Sequence, residues 1–194
     1  MEVVETHWIL APTRVVRCLV LSEAHLQHFE RKIKEKVGPL DYVTNVKGQM
    51  TDWQIFNDDP IFHEYVGLFG ERLRASGGLG EKGFCGIDIK DAWGNLLRLD
   101  DSVDEHAHVG NGVDFASVVY FGESSINVSG TVFENVRGHV LTIPASLAHS
   151  VGAAKADRIT LAFNWRVKVT ENKWDRESKE LVNQFSQLRT RWYE

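Results

Sequence analysis

The spacing of apolar side chains changes character along the chain. Residues 14–21, Arg-Val-Val-Arg-Cys-Leu-Val-Leu, are dense in β-branched and apolar side chains and predict a strand. From Ser22 to about Val37 the period becomes helical, with Leu26, Phe29 and Ile33 on one face. Ser22 can cap that helix and Gly38-Pro39 stops it. Residues 40–57 are mixed, with a short strand expected over 43–46. A second helical stripe, Phe62, Val66, Phe69 and Leu73, follows Asp59-Pro60 and closes at Gly77-Gly78. Asp59 suits the cap and Pro60 the first helical position, where a missing N–H costs nothing.

From Phe84 the pattern shifts to short apolar runs separated by turn residues. Strands are expected near 84–90, 93–99, 103–109, 114–121, 125–133, 138–144, 147–152 and 158–169. Gly110-Asn-Gly112, Gly122, Gly130 and Gly138 punctuate them. Helices come first and strands second, without βαβ alternation, which predicts an α+β fold around a largely antiparallel sheet core. In the tail from Glu171 to Glu194, Trp174, Leu181, Phe185, Leu188 and Trp192 recur at helical spacing. That stripe is expected to cover a sheet face, the alternative being a homodimer contact through the same helix. The chain therefore reads as one domain: 1–82 supporting helices and strands, 83–169 the strand core, 170–194 a C-terminal helix.

Composition narrows the class. A chain of 194 residues with 43% hydrophobic and 25% charged side chains suits one globular domain with a sizeable core. A net charge of −5, without a basic cluster, speaks against a nucleic-acid-binding face. No apolar run approaches the roughly 18 residues of a membrane span. The start lacks the basic and apolar regions of a signal peptide, so a cytoplasmic location is expected. Cys18 and Cys85 form no CxxC and read as reduced, buried thiols. Asn127-Val-Ser129 matches a glycosylation sequon but carries no weight without a secretion signal.

Candidate chemistry concentrates between Asp104 and Trp165. His106 and His108 share a face if their segment is a strand, as do Arg158 and Thr160. One strand histidine is more often a hydrogen-bonded structural residue than a ligand. A close His pair, a distant His149 and a following Arg158 together fit a metal site beside a cation for an anionic co-ligand. Asp104 and Glu105 are alternatives to His108 as third ligand. His7, His25, His28 and His63 fall outside the pattern, whereas His139 could support a ligand or be structural. Trp93, Asn95 and Arg98 could line a substrate pocket or serve packing and surface; Asn164 and Trp165 read as structural.

These residues resemble the iron(II)/2-oxoglutarate-dependent oxygenases, in particular small bacterial and phage members related to prolyl hydroxylases. The likeness covers roughly residues 93–165 and is carried most specifically by Leu-Thr-Ile-Pro-Ala-Ser-Leu-Ala-His-Ser-Val and Arg-Ile-Thr-Leu-Ala-Phe-Asn. It implies a double-stranded β-helix (a cupin-like jelly roll) with packing helices outside. It implies His106 and His149 as Fe(II) ligands and Arg158 as the 2-oxoglutarate arginine, with Thr160 and Tyr120 helping to hold the far carboxylate. His108 stands where the family has a carboxylate ligand, and reads as the third metal ligand. The implied activity is a dioxygenase using O2 and 2-oxoglutarate, hydroxylating an unactivated C–H bond of a small-molecule or peptidyl substrate and releasing succinate and CO2. Two alternatives are a three-histidine cupin-type metal dioxygenase without 2-oxoglutarate and a non-catalytic jelly-roll binding module.

Overall fold

A computed structural model describes residues 5–10, 13–19, 21–39, 44–75, 84–109 and 112–169, with side chains for all but 5–19, 84–85 and 169. The expected helix over 171–194, its dimer contact, and both cysteine side chains lie outside what is described. The strands are β1 (Glu5–Leu10), β2 (Thr13–Leu19), β3 (Val46–Lys47), β4 (Gln49–Met50), β5 (Phe84–Leu97), β6 (Ser102–His106), β7 (Phe115–Tyr120), β8 (Ser124–Val128), β9 (Thr131–Asn135), β10 (His139–Pro144), β11 (His149–Val151) and β12 (Arg158–Val169). The helices are α1 (Glu23–Lys36) and α2 (Pro60–Ala75). A seven-stranded sheet runs β1-β2-β10-β7-β12-β5-β4 and a five-stranded sheet runs β3-β6-β11-β8-β9. Every strand pairing is antiparallel, as the α+β reading expects.

The larger sheet is buried on both faces. On one side Phe29, Ile33, Phe62 and Phe69 of the helices pack against Leu161, Phe163 and Trp165 of β12. On the other, Tyr120, Leu141 and Ile143 share a core with Ile126, Val128 and Phe133 of the smaller sheet. Alternation along β12 therefore sends Leu161, Phe163 and Trp165 to the helices and turns the buried Arg158, Thr160, Ala162 and Asn164 to the opposite face. That second face thus carries the buried polar side chains of Arg158, Thr160 and Asn164 into the interior, where each needs a partner.

Both helices begin where the sequence predicts. Ser22 Oγ accepts from the His25 N–H at 3.2 Å, and Asp59 Oδ1 accepts from the Ile61 and Phe62 N–H groups at 3.0 and 3.2 Å. The other Asp59 oxygen takes Lys32 Nζ at 2.6 Å and His28 Nε2 at 2.9 Å, tying α1 to the start of α2. α1 comes close to the sheet at Gly94 of β5, where an added Cβ would lie 2.4 Å from Ile33 Cγ1.

The strands differ from expectation in detail. The runs 84–90 and 93–99 form one strand, β5, because both pair with the twelve-residue β12 on either side of a bulge. The run 125–133 breaks into β8 and β9 at Ser129-Gly130, both at positive φ (48° and 85°), which closes a tight hairpin. The strand expected over 103–109 stops at His106. Strands β1 and β4 were not anticipated; each exists through its pairing, with β2 and β5 respectively.

Candidate metal centre

The three histidines converge from two neighbouring strands and a loop. His106, at the end of β6, is the direct cross-strand partner of His149, at the start of β11. Side chains opposite one another in an antiparallel pair project together, and these two rings stand 4.3 Å apart, centroid to centroid. Beyond His106 the chain leaves the sheet. The His108 N–H then donates to the Ala145 carbonyl at 2.8 Å, fixing the third ring 5.2 Å from each of the others. So the face-sharing expected of His106 and His108 is reached by a tethered loop rather than by regular alternation. One potential ligand atom from each ring lies within 4.8 Å of the others.

The tautomers suit a metal. His106 Nδ1 meets the Asp104 carbonyl at 2.8 Å and His149 Nδ1 meets the Leu147 carbonyl at 3.1 Å. A carbonyl only accepts, so each Nδ1 carries the hydrogen and Nε2 is the ring atom left to face a metal. Burial, then the nearby His106, lowers His108 from 6.5 to about 4. Burial, then His106, lowers His149 to about 3, against a smaller opposing pull from the Leu147 carbonyl. Both are neutral imidazoles at pH 7, the form that binds a metal. The donor set therefore fits a transition metal with open coordination positions. Asp104 and Glu105 stay outside the cluster: both are exposed, and Asp104 pairs with Lys47 at 3.0 Å.

Arg158 and Thr160 share the inner face of β12, as expected. Arg158 is 8% exposed; its Nε donates to Ser124 Oγ at 3.2 Å, and its Cζ sits 5.5 Å from the Tyr120 ring centroid. Burial pulls its pKa below the ordinary arginine value, opposed by the charge and hydrogen bonding of Tyr120. Among the described residues no carboxylate meets this guanidinium. Tyr120 lies beside Thr160 across the strand pair. Thr160 Oγ1 accepts from Asn95 Nδ2 at 3.3 Å, and Asn95 Oδ1 accepts from Trp93 Nε1 at 3.1 Å.

A cleft of about 300 Å³ opens beside the histidines, lined among others by His106, His108, Trp53, Trp93, Asp91 and Asn164. A larger hollow of about 450 Å³ lies on the helix side of the main sheet and contains none of the site residues. Trp93 thus lines the cleft and Asn95 supports it, while Arg98 is exposed and paired with Asp157. His139 stands apart at the head of β10, where its Nδ1 accepts from the Val136 N–H. Asn164, read as structural, reaches the cleft; Trp165 faces the helix core, with Nε1 donating to Ser117 Oγ at 2.8 Å. Sequence reasoning missed Ser124, Trp53 and Asp91. Nothing in their local sequence marks them, since each acquires meaning only from what it is folded against.

No protein-family model matches the sequence, and no curated protein matches it. Solved structures do match the fold. A prolyl-4-hydroxylase from Pseudomonas putida aligns with TM-score 0.60 at 14% identity, covering 82% of this chain and 95% of its own. SnoN, a non-heme alpha-ketoglutarate-dependent epimerase from nogalamycin biosynthesis, gives 0.59 at 8% identity, covering 82% of each chain. HygX from Streptomyces hygroscopicus, with nickel, 2-oxoglutarate and hygromycin B bound, gives 0.57 at 13% identity, covering 83% of this chain and 85% of its own. At such identities the likeness establishes the fold. It is the jelly-roll fold of the 2-oxoglutarate/iron(II) oxygenases, as the sequence resemblance implied. Among the described residues no helix is long and apolar enough to cross a membrane.

Proposed function

We propose that the chain is an Fe(II)- and 2-oxoglutarate-dependent dioxygenase, organised as one domain over 1–194 and acting in the cytoplasm. It hydroxylates an unactivated C–H bond of a small-molecule or peptidyl substrate and releases succinate and CO2. His106, His108 and His149 hold the iron, and Arg158, helped by Tyr120 and Thr160, holds the far carboxylate of 2-oxoglutarate. When bound, iron with 2-oxoglutarate and O2 supplies the oxidising power. The chain's own residues supply position. The paired His106 and His149 present two Nε2 atoms, the Ala145 carbonyl steadies the third imidazole, and the planar guanidinium offers a fork for two parallel hydrogen bonds to a carboxylate.

The observation that carries this reading is Arg158: a guanidinium 8% exposed, on the inner face, with no acidic partner among the described residues. An uncompensated buried charge costs several kcal/mol, and a dicarboxylate co-substrate would remove that cost. Succinate formation that requires Fe(II), 2-oxoglutarate, O2 and a substrate tests it. Arg158→Ala is expected to raise the 2-oxoglutarate concentration needed for half-maximal turnover by about 10- to 150-fold, the worth of a charged hydrogen bond. Anaerobic Fe(II) with 2-oxoglutarate is further expected to give a weak visible charge-transfer band.

A second reading has one observation in its favour, the lack of a carboxylate in the histidine cluster. A three-histidine metal dioxygenase without 2-oxoglutarate would consume oxygen regardless of the keto acid and tolerate loss of Arg158. A non-catalytic binding module would bind metal substoichiometrically and turn nothing over.

A further inference from the structure

Opposite ends of the β12 inner face carry opposite chemistry. Arg158 marks one end; at the other, Asn164 stands directly across from Asp91 of β5. Asp91 is turned inward by a bulge. Ile87 and Ile89 of β5 face the helix core, and so does Ala92, an odd number of residues away, which unbroken alternation forbids. The irregularity lies where Asn164 pairs with Asp91 but Trp165 pairs with Ile89, leaving Lys90 as the extra residue. Without it Asp91 would point among the phenylalanines. With it, the carboxylate lines the cleft beside His106 and His108 and is the one formally charged side chain among the described residues that line it.

Its neighbours are acceptors and aromatic faces. Asn164 is 4% exposed, and its Oδ1 is buried with no hydrogen-bond partner, although buried carbonyl oxygens are nearly always satisfied. Trp53 and Trp93 meet edge to face at 4.5 Å on the same wall. Trp53 is held there because its carbonyl accepts from the Ala92 N–H at 2.9 Å, clamping the 51–57 segment along β5. Asp91 itself has no partner among the described residues. A carboxylate, an unmatched amide oxygen and two indoles, with no Lys or Arg among the described residues that line the cleft, form a receptor for a cation.

We infer that the cleft binds a positively charged nitrogen group of the substrate, an alkylammonium or guanidinium, through Asp91, Asn164 Oδ1 and the faces of Trp53 and Trp93. This names a substrate class for the oxygenase proposed above and rests on that reading for its catalytic meaning. Asp91 and Asn164 are positioning groups that place a carbon near the cation against the metal.

The full chain, loaded anaerobically with Fe(II) and 2-oxoglutarate, would be titrated by calorimetry with n-butylguanidinium, n-butylammonium, n-butanol and butyrate. The expected result is saturable binding of the two cations, at least tenfold tighter than butanol or butyrate. Asp91→Asn and, separately, Trp53→Leu are each expected to weaken the cations at least fivefold, with little change for butanol; circular dichroism verifies folding. If the charge-transfer band forms but cations bind no tighter than butanol, or both variants bind them as the parent does, the inference fails while the oxygenase reading stands. If no band forms but cations bind and depend on Asp91, the cation site stands and the oxygenase reading falls.

Discussion

His108 is the side chain in which this centre departs from the His-x-carboxylate pattern. Replacing a carboxylate ligand by imidazole raises the charge at the metal by one and strengthens its hold on anions. His108→Ala is expected to lower iron affinity by about 100-fold or more, since even residues supporting a ligand cost 10- to 100-fold. His108→Asp is expected to retain iron. Iron content after desalting checks both, and unchanged iron in His108→Ala would remove His108 from the ligand set. The same ring makes the metal-free protein acid-sensitive. With folded values near 4 for His108 and 3 for His149 against 6.5 when free, the unfolded chain takes up protons first as pH falls. Metal-free stability should therefore be full above about pH 6.5 and decline as pH falls toward about 3. Urea midpoints at pH 7.5 and 5 test this; the drop should shrink in His108→Asn, and a rising midpoint at pH 5 would contradict it. The convergence of His106, His108 and His149 was legible in sequence because residue type and spacing carry it, whereas the roles of Thr160 and Tyr120 came only through the family resemblance. Asp91 and Trp53 were not legible, because a bulge and a clamped loop give them their roles.

Among the elements, the two helices hold the sheet that carries the site. Asp59 does two jobs, capping α2 and pairing with Lys32 and His28 of α1. Burial raises its pKa, but the bonds from Lys32, His28 and the Phe62 N–H outweigh that and bring it from 3.8 to about 2. Its contribution is thus present above about pH 4 and lost as pH falls toward 2. Asp59→Ala is expected to cost about 2–3 kcal/mol at neutral pH in denaturant melts; a loss under 0.5 would contradict the account. Gly94→Ala probes the close approach of α1 to β5. With 2.4 Å to Ile33 Cγ1, overpacking should cost about 1–3 kcal/mol, and Ile33→Ala in the same chain should relieve part of it. A strictly additive double variant would show that the two do not meet. Helix starts were readable because caps are local. Strand limits were less so: β1 and β4 depend on distant partners, the Ser129-Gly130 hairpin interrupts a run that read as uniform, and the Lys90 bulge lies where two runs that read as separate join in one strand.

At the scale of the molecule, the sandwich brings together groups far apart in sequence. The smaller sheet contributes His106 and His149, and the larger one Arg158, Thr160 and Asn164 on its inward face. Ser124 of the smaller sheet touches Arg158 of the larger and so couples the two layers at the site. The fold is shared with proteins that differ in outcome, a hydroxylase and an epimerase among them, so activity must come from the site itself. The central claim is that one iron and one 2-oxoglutarate sit between the three imidazoles and the guanidinium. A crystal structure of the chain loaded anaerobically with both tests it most directly. The expected result is iron bound to Nε2 of His106 and His149 and to the His108 ring, with the far carboxylate of the keto acid on Arg158. Iron held by Asp104 or Glu105 in place of His108, or a keto acid turned away from Arg158, would contradict it.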